Sequence, residues 1–201
     1  MRPVRVITGR AAPLDRSDVD TDQIIPASWL KRVERTGFGQ GLFSEWRDQR
    51  DFVLNRPEHA GANILVAGPN FGTGSSREHA VWALQDYGFE AVISARFGDI
   101  FRNNCTKSGL LPAQVEAADA EALMRAVTEA PDLEVTIDVE RLRVEVPAAG
   151  LAFSFSLDPF TQHRFLEGLD DIGLTLRHEE AITAYERSRP GWLPSLGQSY
   201  A

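Results

Sequence analysis

The sequence predicts an α/β fold in which a mixed sheet is flanked by helices, and three observations predict it. Residues 63–67 (NILVA) are an apolar run, followed by the Gly-rich stretch 68–74 (GPNFGTG) and a helical pattern over 75–87. A second unit repeats that order, with the apolar run 91–94 (AVIS) preceding a helix at 97–104. Beyond a third helix at 117–129, the segments 133–137, 140–146 and 151–157 read as strands, the last two alternating in character. Strands linked by helices and then strands in succession indicate a mixed sheet.

Taken in order, residues 3–8 (PVRVIT) alternate apolar and polar and predict the first strand. Residues 13–24 are acidic and loop-like. Residues 27–35 (ASWLKRVER) predict a short helix ended by Gly37 and Gly39. In the helix over 75–87, Ala80, Ala83, Leu84 and Tyr87 share a face, and Gly88 closes it at C′. Leu123, Met124 and Val127 mark the buried face of the helix at 117–129. Residues 159–188 read as helix again, a C-terminal tail on one domain spanning 1–201, with no internal repeat and no linker.

Composition narrows the function. The chain has 201 residues, 43% of them hydrophobic and 25% charged, as in an ordinary globular domain. No apolar run reaches the roughly 18 residues of a membrane span. The net charge of −8, and a densest basic cluster (Lys31, Arg32, Arg35) interrupted by Glu34, argue against binding a nucleic-acid backbone. Cys105 is the only cysteine, which excludes an internal disulfide and a zinc or iron–sulfur site built from this chain's thiolates alone. Residues 1–9 carry no secretory signal pattern, so a cytoplasmic location is expected.

The most informative stretch is the strand, the run GPNFGTG and the helix opening SSREHA. A Gly-rich turn at a helix N-terminus aims backbone N–H groups and the positive end of the helix dipole at an anion. A P-loop is excluded because no lysine precedes Ser75. A dinucleotide fingerprint is excluded because Arg77 stands where the third glycine belongs. That arginine offers a planar fork suited to a small carboxylate. The same residues also spell a capping box, Ser75 as N-cap and Glu78 at N3, which would only start a helix. Asp18–Val19–Asp20–Thr21–Asp22 opens like a calcium loop, but Gln23 and Trp29 stand where glycine and glutamate are needed. Arg102–Lys107 reads as a helix C-terminus, with Cys105 a small buried residue. The histidines (59, 79, 163, 178) show no metal-binding spacing.

Together these stretches resemble the swivelling β/β/α domain of the aconitase superfamily, and within it the 3-isopropylmalate dehydratase small-subunit family. The resemblance rests on Asp20–Thr21–Asp22–Gln23–Ile24–Ile25–Pro26, Asn70–Phe71–Gly72, Gly74–Ser75–Ser76–Arg77–Glu78–His79–Ala80, Asn103–Asn104 and Gly109–Leu110–Leu111–Pro112, in that order. Leu157–Asp158–Pro159–Phe160 and Gly168–Leu169–Asp170–Asp171–Ile172–Gly173–Leu174–Thr175 extend it over nearly the whole chain. It implies a hydro-lyase of leucine biosynthesis that isomerises 2-isopropylmalate to 3-isopropylmalate through 2-isopropylmaleate. It implies a heterodimer with a large subunit that carries a [4Fe–4S] cluster as Lewis acid, this chain holding no metal.

The resemblance also implies roles. Ser75 would take the carbon-bound proton, and Arg77 would hold a substrate carboxylate bidentately. Gly74 and Ser76 would donate to the dicarboxylate substrate, and Asp22 matches a position near the active site. Where aconitase supplies an arginine for a third carboxylate, an ungapped match places Val33 here, with Lys31 and Arg32 beside it. An apolar residue suits an isopropyl group, with Leu30 as the expected alkyl contact. Two rival readings remain at this point: a hydro-lyase acting on homoaconitate or a methyl-substituted malate, and a non-catalytic carboxylate-binding module.

Overall fold

The computed structural model describes residues 1–31, 36–74 and 77–193. Seven strands form one sheet in the order β4-β3-β2-β1-β5-β6-β7. The parallel half is β1 (Val6–Leu14), β2 (Ile64–Ala67), β3 (Ala91–Ser94) and β4 (Leu111–Gln114). The antiparallel half is β5 (Glu134–Asp138), β6 (Arg143–Val146) and β7 (Leu151–Ser154). Strand β1 joins the halves: Val6–Arg10 pair antiparallel with β5, and Ala11–Leu14 pair parallel with β2.

That change of partner explains why the first strand runs on to Leu14 rather than stopping near residue 8. Pro13 lacks an N–H and is tolerated only where one side of a strand needs no donor. It sits past the end of β5, so the missing donor is on the side that β5 has already left.

Alternation along the central strands feeds two cores. Ala12, Leu14, Leu65, Ala67 and Val92 face one side, under α3 (Glu78–Tyr87), α4 (Asp99–Ser108) and the connection from β1 to β2. Ile7, Ala11, Ile64, Val66, Ala91 and Ile93 face the other side, under α5 (Ala117–Glu129) and Phe165 of α6 (Pro159–Glu167). Strands buried on both faces read as continuous apolar runs, which is what 63–67 and 91–94 are.

The helix over 117–129 matches its predicted bounds. Strand β4 is an addition to the elements that the sequence predicts. Pro112 lies in its middle, and a proline argues against a strand except at a sheet edge, which is where β4 lies. The predicted tail helix is three helices: α6, α7 (Asp171–Leu176) and α8 (Glu179–Ser188). Gly168 ends α6 and the Asp170 carboxylate caps α7, so the run breaks there. The connection from β1 to β2 holds α1 (Thr21–Ile24), α2 (Ser44–Arg47) and short 3₁₀ turns, of which Ala27–Lys31 occupies part of the helix predicted for 27–35. Within the loop-like stretch 13–24, residues 21–24 are α1.

Candidate active site

Two loops leave the carboxyl ends of adjacent parallel strands, where ligands of open α/β sheets bind. One follows Leu14 of β1 and the other follows Ala67 of β2. They are sewn together by main-chain bonds. The Asp18 N–H donates to the Pro69 carbonyl (2.9 Å), and the Gly72 N–H to the Val19 carbonyl (2.7 Å). The Thr73 N–H also donates to Val19 (3.1 Å), and the Thr21 N–H returns to the Thr73 carbonyl (3.0 Å). The Asn70 side-chain amide donates to the Asp18 carboxylate (2.7 Å). The seam therefore brings Asp22 beside the Gly-rich turn, although 55 residues separate it from Arg77.

Glycine is required in the turn for two reasons. Gly72 has φ +76, and a Cβ there would stand 2.2 Å from the Phe101 ring. Gly74 has φ +85 and faces the Cβ of Asp20. Both backbone conformations disfavour any other residue.

Helix α3 starts at Glu78, with Arg77 as its N-cap in extended conformation and no side-chain cap bond. The predicted capping box of Ser75 with Glu78 at N3 is thereby corrected: Glu78 is the first helical residue, two positions too early for that geometry. A capping box does exist, one loop away. The Asp20 carboxylate accepts from the Gln23 N–H (2.8 Å), and the Gln23 side chain accepts from the Asp20 N–H (2.9 Å). Its signal, Asp20–x–x–Gln23, is present in the sequence, but the surrounding acidic residues mask it as a solvated loop.

Arg77 donates through one terminal nitrogen to the Asp22 carboxylate at 2.5 Å. The Arg77 side chain is 28% exposed and Asp22 54%, so the pair stands at the mouth of the site. A guanidinium has five N–H donors. The Asp22 bond uses one of them, and among the described residues no other acceptor holds Arg77. Beside the turn, Asn70, Thr73, Arg96, Phe97, Gly98 and Asp99 line a hollow of about 300 Å³. A hollow of about 680 Å³ lies at the opposite, amino end of the parallel strands, between the N-terminal segment and residues 88–90. It carries none of the predicted site residues.

The structure brings together Asp22, Gly74 and Arg77. Ser75, Ser76 and Val33 lie outside the described residues. Leu30 is half-buried in the 3₁₀ turn Ala27–Lys31 and among the described residues joins neither core, whereas its neighbour Trp29 packs against the first core. Cys105 is fully buried in α4, and burial pushes its thiol well above the usual range, so its sulfur is a packing atom. Among the described residues, no group of three His, Cys, Asp or Glu side chains could hold a metal ion. Among the same residues no helix is long and apolar enough to cross a membrane.

Comparison with known proteins shows which family the chain belongs to. The aconitase C-terminal domain family matches residues 1–118. The family of C-terminal domains from 3-isopropylmalate dehydratase small subunits matches residues 171–196. The 3-isopropylmalate dehydratase small subunit of Frankia alni is 63% identical over 195 residues, covering 97% of this chain and 99% of the relative. The chain belongs to the 3-isopropylmalate dehydratase small-subunit family. The small subunit of Rubrobacter xylanophilus is 58% identical over 196 residues, covering 98% of this chain and all of the relative. A solved 3-isopropylmalate dehydratase chain from Methanocaldococcus jannaschii superposes with a TM-score of 0.66 at 26% identity, covering 90% of this chain and 99% of that one. As a member of this family, the chain is the small subunit of a hydro-lyase of leucine biosynthesis. The name small subunit implies a large-subunit partner. The homoaconitate, methylmalate and binding-module readings find no support among these relatives.

Proposed function

We propose that this chain, as one unit over residues 1–201 in the cytoplasm, presents the proton-transferring half of the active site to a large subunit. The observation that carries this reading is the Arg77 fork beside the Gly-rich turn, bonded to Asp22 and, among the described residues, to no other acceptor. The [4Fe–4S] cluster is assigned to the large subunit, and the residues of this chain act apart from it.

The chemistry needs removal of a proton from a carbon next to a carboxylate. Such a proton is weakly acidic, because charge moves into the carboxylate as it leaves. A guanidinium on that carboxylate stabilises the growing charge through two parallel charge-assisted bonds. Ser75, two residues before Arg77, takes the proton from C3 of 2-isopropylmalate while the C2 hydroxyl departs toward the large subunit. The proton on Ser75 and the departed hydroxyl together make up the elements of one water, and 2-isopropylmaleate is formed. The proton then returns to C2 and the hydroxyl to C3, giving 3-isopropylmalate. Gly74 and Ser76 donate to the dicarboxylate. Asp22 enters substrate binding through Arg77, since a second carboxylate would repel the substrate unless a cation stood between them.

Reconstitution tests this reading. The chain purified alone should have no isomerase activity, and mixing with a cluster-bearing large subunit should restore conversion of 2-isopropylmalate. Activity in the isolated chain, or none in an assembled complex, overturns it.

Leu30 and Val33 would meet the isopropyl group. Leu30 is half-buried, and among the described residues it joins neither core. Three buried carbons at about 0.8 kcal/mol each contribute roughly 2–2.5 kcal/mol, on the order of 50-fold in preference over unsubstituted malate. Leu30→Ala should lower kcat/KM for isopropylmalate far more than for a methyl-substituted malate, with assembly of the two subunits unchanged. Equal losses on both substrates would place the alkyl contact elsewhere.

A further inference from the structure

2-Isopropylmalate carries two carboxylates, and Arg77 answers one of them. The other must be held against a chain whose net charge is −8 and whose loop beside the turn carries Asp18, Asp20 and Asp22. A dianion in such surroundings calls for a second cation.

The loop after β3 supplies one. It leaves the carboxyl end of the next parallel strand and is pinned to the Gly-rich turn by main-chain bonds. The Phe71 N–H donates to the Arg96 carbonyl (3.0 Å), and the Gly98 N–H to the Phe71 carbonyl (2.9 Å). The buried Ser94 hydroxyl donates to the Gly68 carbonyl (2.8 Å) and ties the two loops at their base. A Cβ on Gly98 would stand 2.4 Å from the Gly72 carbonyl oxygen, so only glycine lets the loops lie this close. The main chain of Arg96 is thus fixed against the turn.

The Arg96 side chain remains uncommitted. It is exposed, and among the described residues no acceptor holds its guanidinium. It lines the hollow of about 300 Å³ together with Thr73. Thr73 bonds through its main chain to Val19 and Thr21, in the loop that carries Asp22. Because β2 lies between β1 and β3, the turn has the Asp22 loop along one side and the Arg96 loop along the other. Asp99, the other charged residue at the hollow, lies in the first turn of α4, where the positive helix end offsets its charge.

We propose that Arg96 is a substrate-binding residue that holds the carboxylate of 2-isopropylmalate that Arg77 does not hold. The inference rests on the dicarboxylate binding at this mouth, as the role of Arg77 requires. The two arginines act differently. Arg77 serves the carboxylate that gains charge as the proton leaves. The second carboxylate keeps its charge through that step, so a cation on it binds substrate and transition state alike. Such uniform binding shows in KM and leaves kcat unchanged.

The experiment uses the assembled two-subunit enzyme and compares Arg96→Gln, Arg96→Lys and Arg77→Lys. Arg96→Gln should raise KM for 2-isopropylmalate about 10-fold at low salt, with kcat within about twofold of the parent. Added salt should raise the KM of the parent more steeply than that of Arg96→Gln, because the lost attraction is the screened one. Arg96→Lys keeps the charge and should recover much of the parental KM. An Arg96→Gln enzyme with parental KM overturns the proposal, as does one that loses kcat with KM unchanged. Titration with the large subunit identifies a docking role: weakened assembly with parental KM at saturation also overturns it. If Arg77→Lys is impaired while Arg96→Gln is parental, only the role of Arg96 fails. If both keep parental kinetics, the dicarboxylate is not bound at this mouth, and both roles fail together.

Discussion

Ser75→Ala should abolish isomerisation while leaving the fold and the heterodimer intact. The hydroxyl it removes is the group assigned to carry the proton between C3 and C2. Loss of a proton-transferring side chain costs on the order of 10²–10⁴ in rate. Both half-reactions need that transfer, so hydration of 2-isopropylmaleate should fall as far as dehydration of 2-isopropylmalate. The expected stability cost is small. An N-cap serine would lose about 1 kcal/mol on going to alanine. Here the cap position of α3 is Arg77, and the helix begins at Glu78. Ser75→Ala should therefore melt within about 0.5 kcal/mol of the parent. The check is a pair of measurements on one preparation, thermal unfolding and turnover of the reconstituted enzyme. Near-normal turnover would remove Ser75 from the chemistry. A large drop in Tm would return it to a structural role.

The two kinds of feature in this site are not equally legible in the sequence. The Gly-rich turn between a strand and a helix is a local pattern, and residues 63–88 contain every signal needed to place it. The same holds for α5, whose apolar spacing marks its bounds. What a local pattern does not contain is which loop lies beside the turn. The contact of Asp22 with Arg77 depends on β1 and β2 being parallel neighbours, so that their carboxyl ends emerge side by side. Resemblance places both residues at the site, but their direct ion pair follows only from the sheet order. The missed strand segments share another cause. Pro112 and Pro13 both argue against a strand when taken alone, and both are tolerated because one side of the strand lacks a partner at that point. Whether a strand edge is free is a property of the sheet, and no window of sequence reports it.

Arg77→Lys should be severely impaired, although charge is conserved. Arg77 has two acceptors to serve. One terminal nitrogen donates to Asp22. In the proposed role the remaining donors serve the substrate carboxylate. A lysine ammonium is a compact point charge on a flexible stem. It can meet Asp22 or the substrate, but it has no planar fork to present two parallel bonds while held from the side. Losing one bond to a charged group costs about 1.5–3 kcal/mol, or roughly 10–150-fold in kcat/KM. The loss should fall on kcat as well as KM, because the carboxylate gains negative charge only as the proton leaves. Asp22→Asn should give a smaller loss of the same kind, since the amide still accepts a bond but no longer anchors the cation by charge. The double variant should lose less than the sum of the two, because both substitutions act on the orientation of one fork. Stability is not the channel for these effects. An exposed ion pair contributes only about 0–1 kcal/mol, and Asp22 is more than half exposed. Steady-state kinetics of the four enzymes with 2-isopropylmalate, alongside their melting curves, checks the argument. Additive losses would separate Asp22 from Arg77, and an Arg77→Lys enzyme with parental kcat/KM would show that the fork does not hold the substrate.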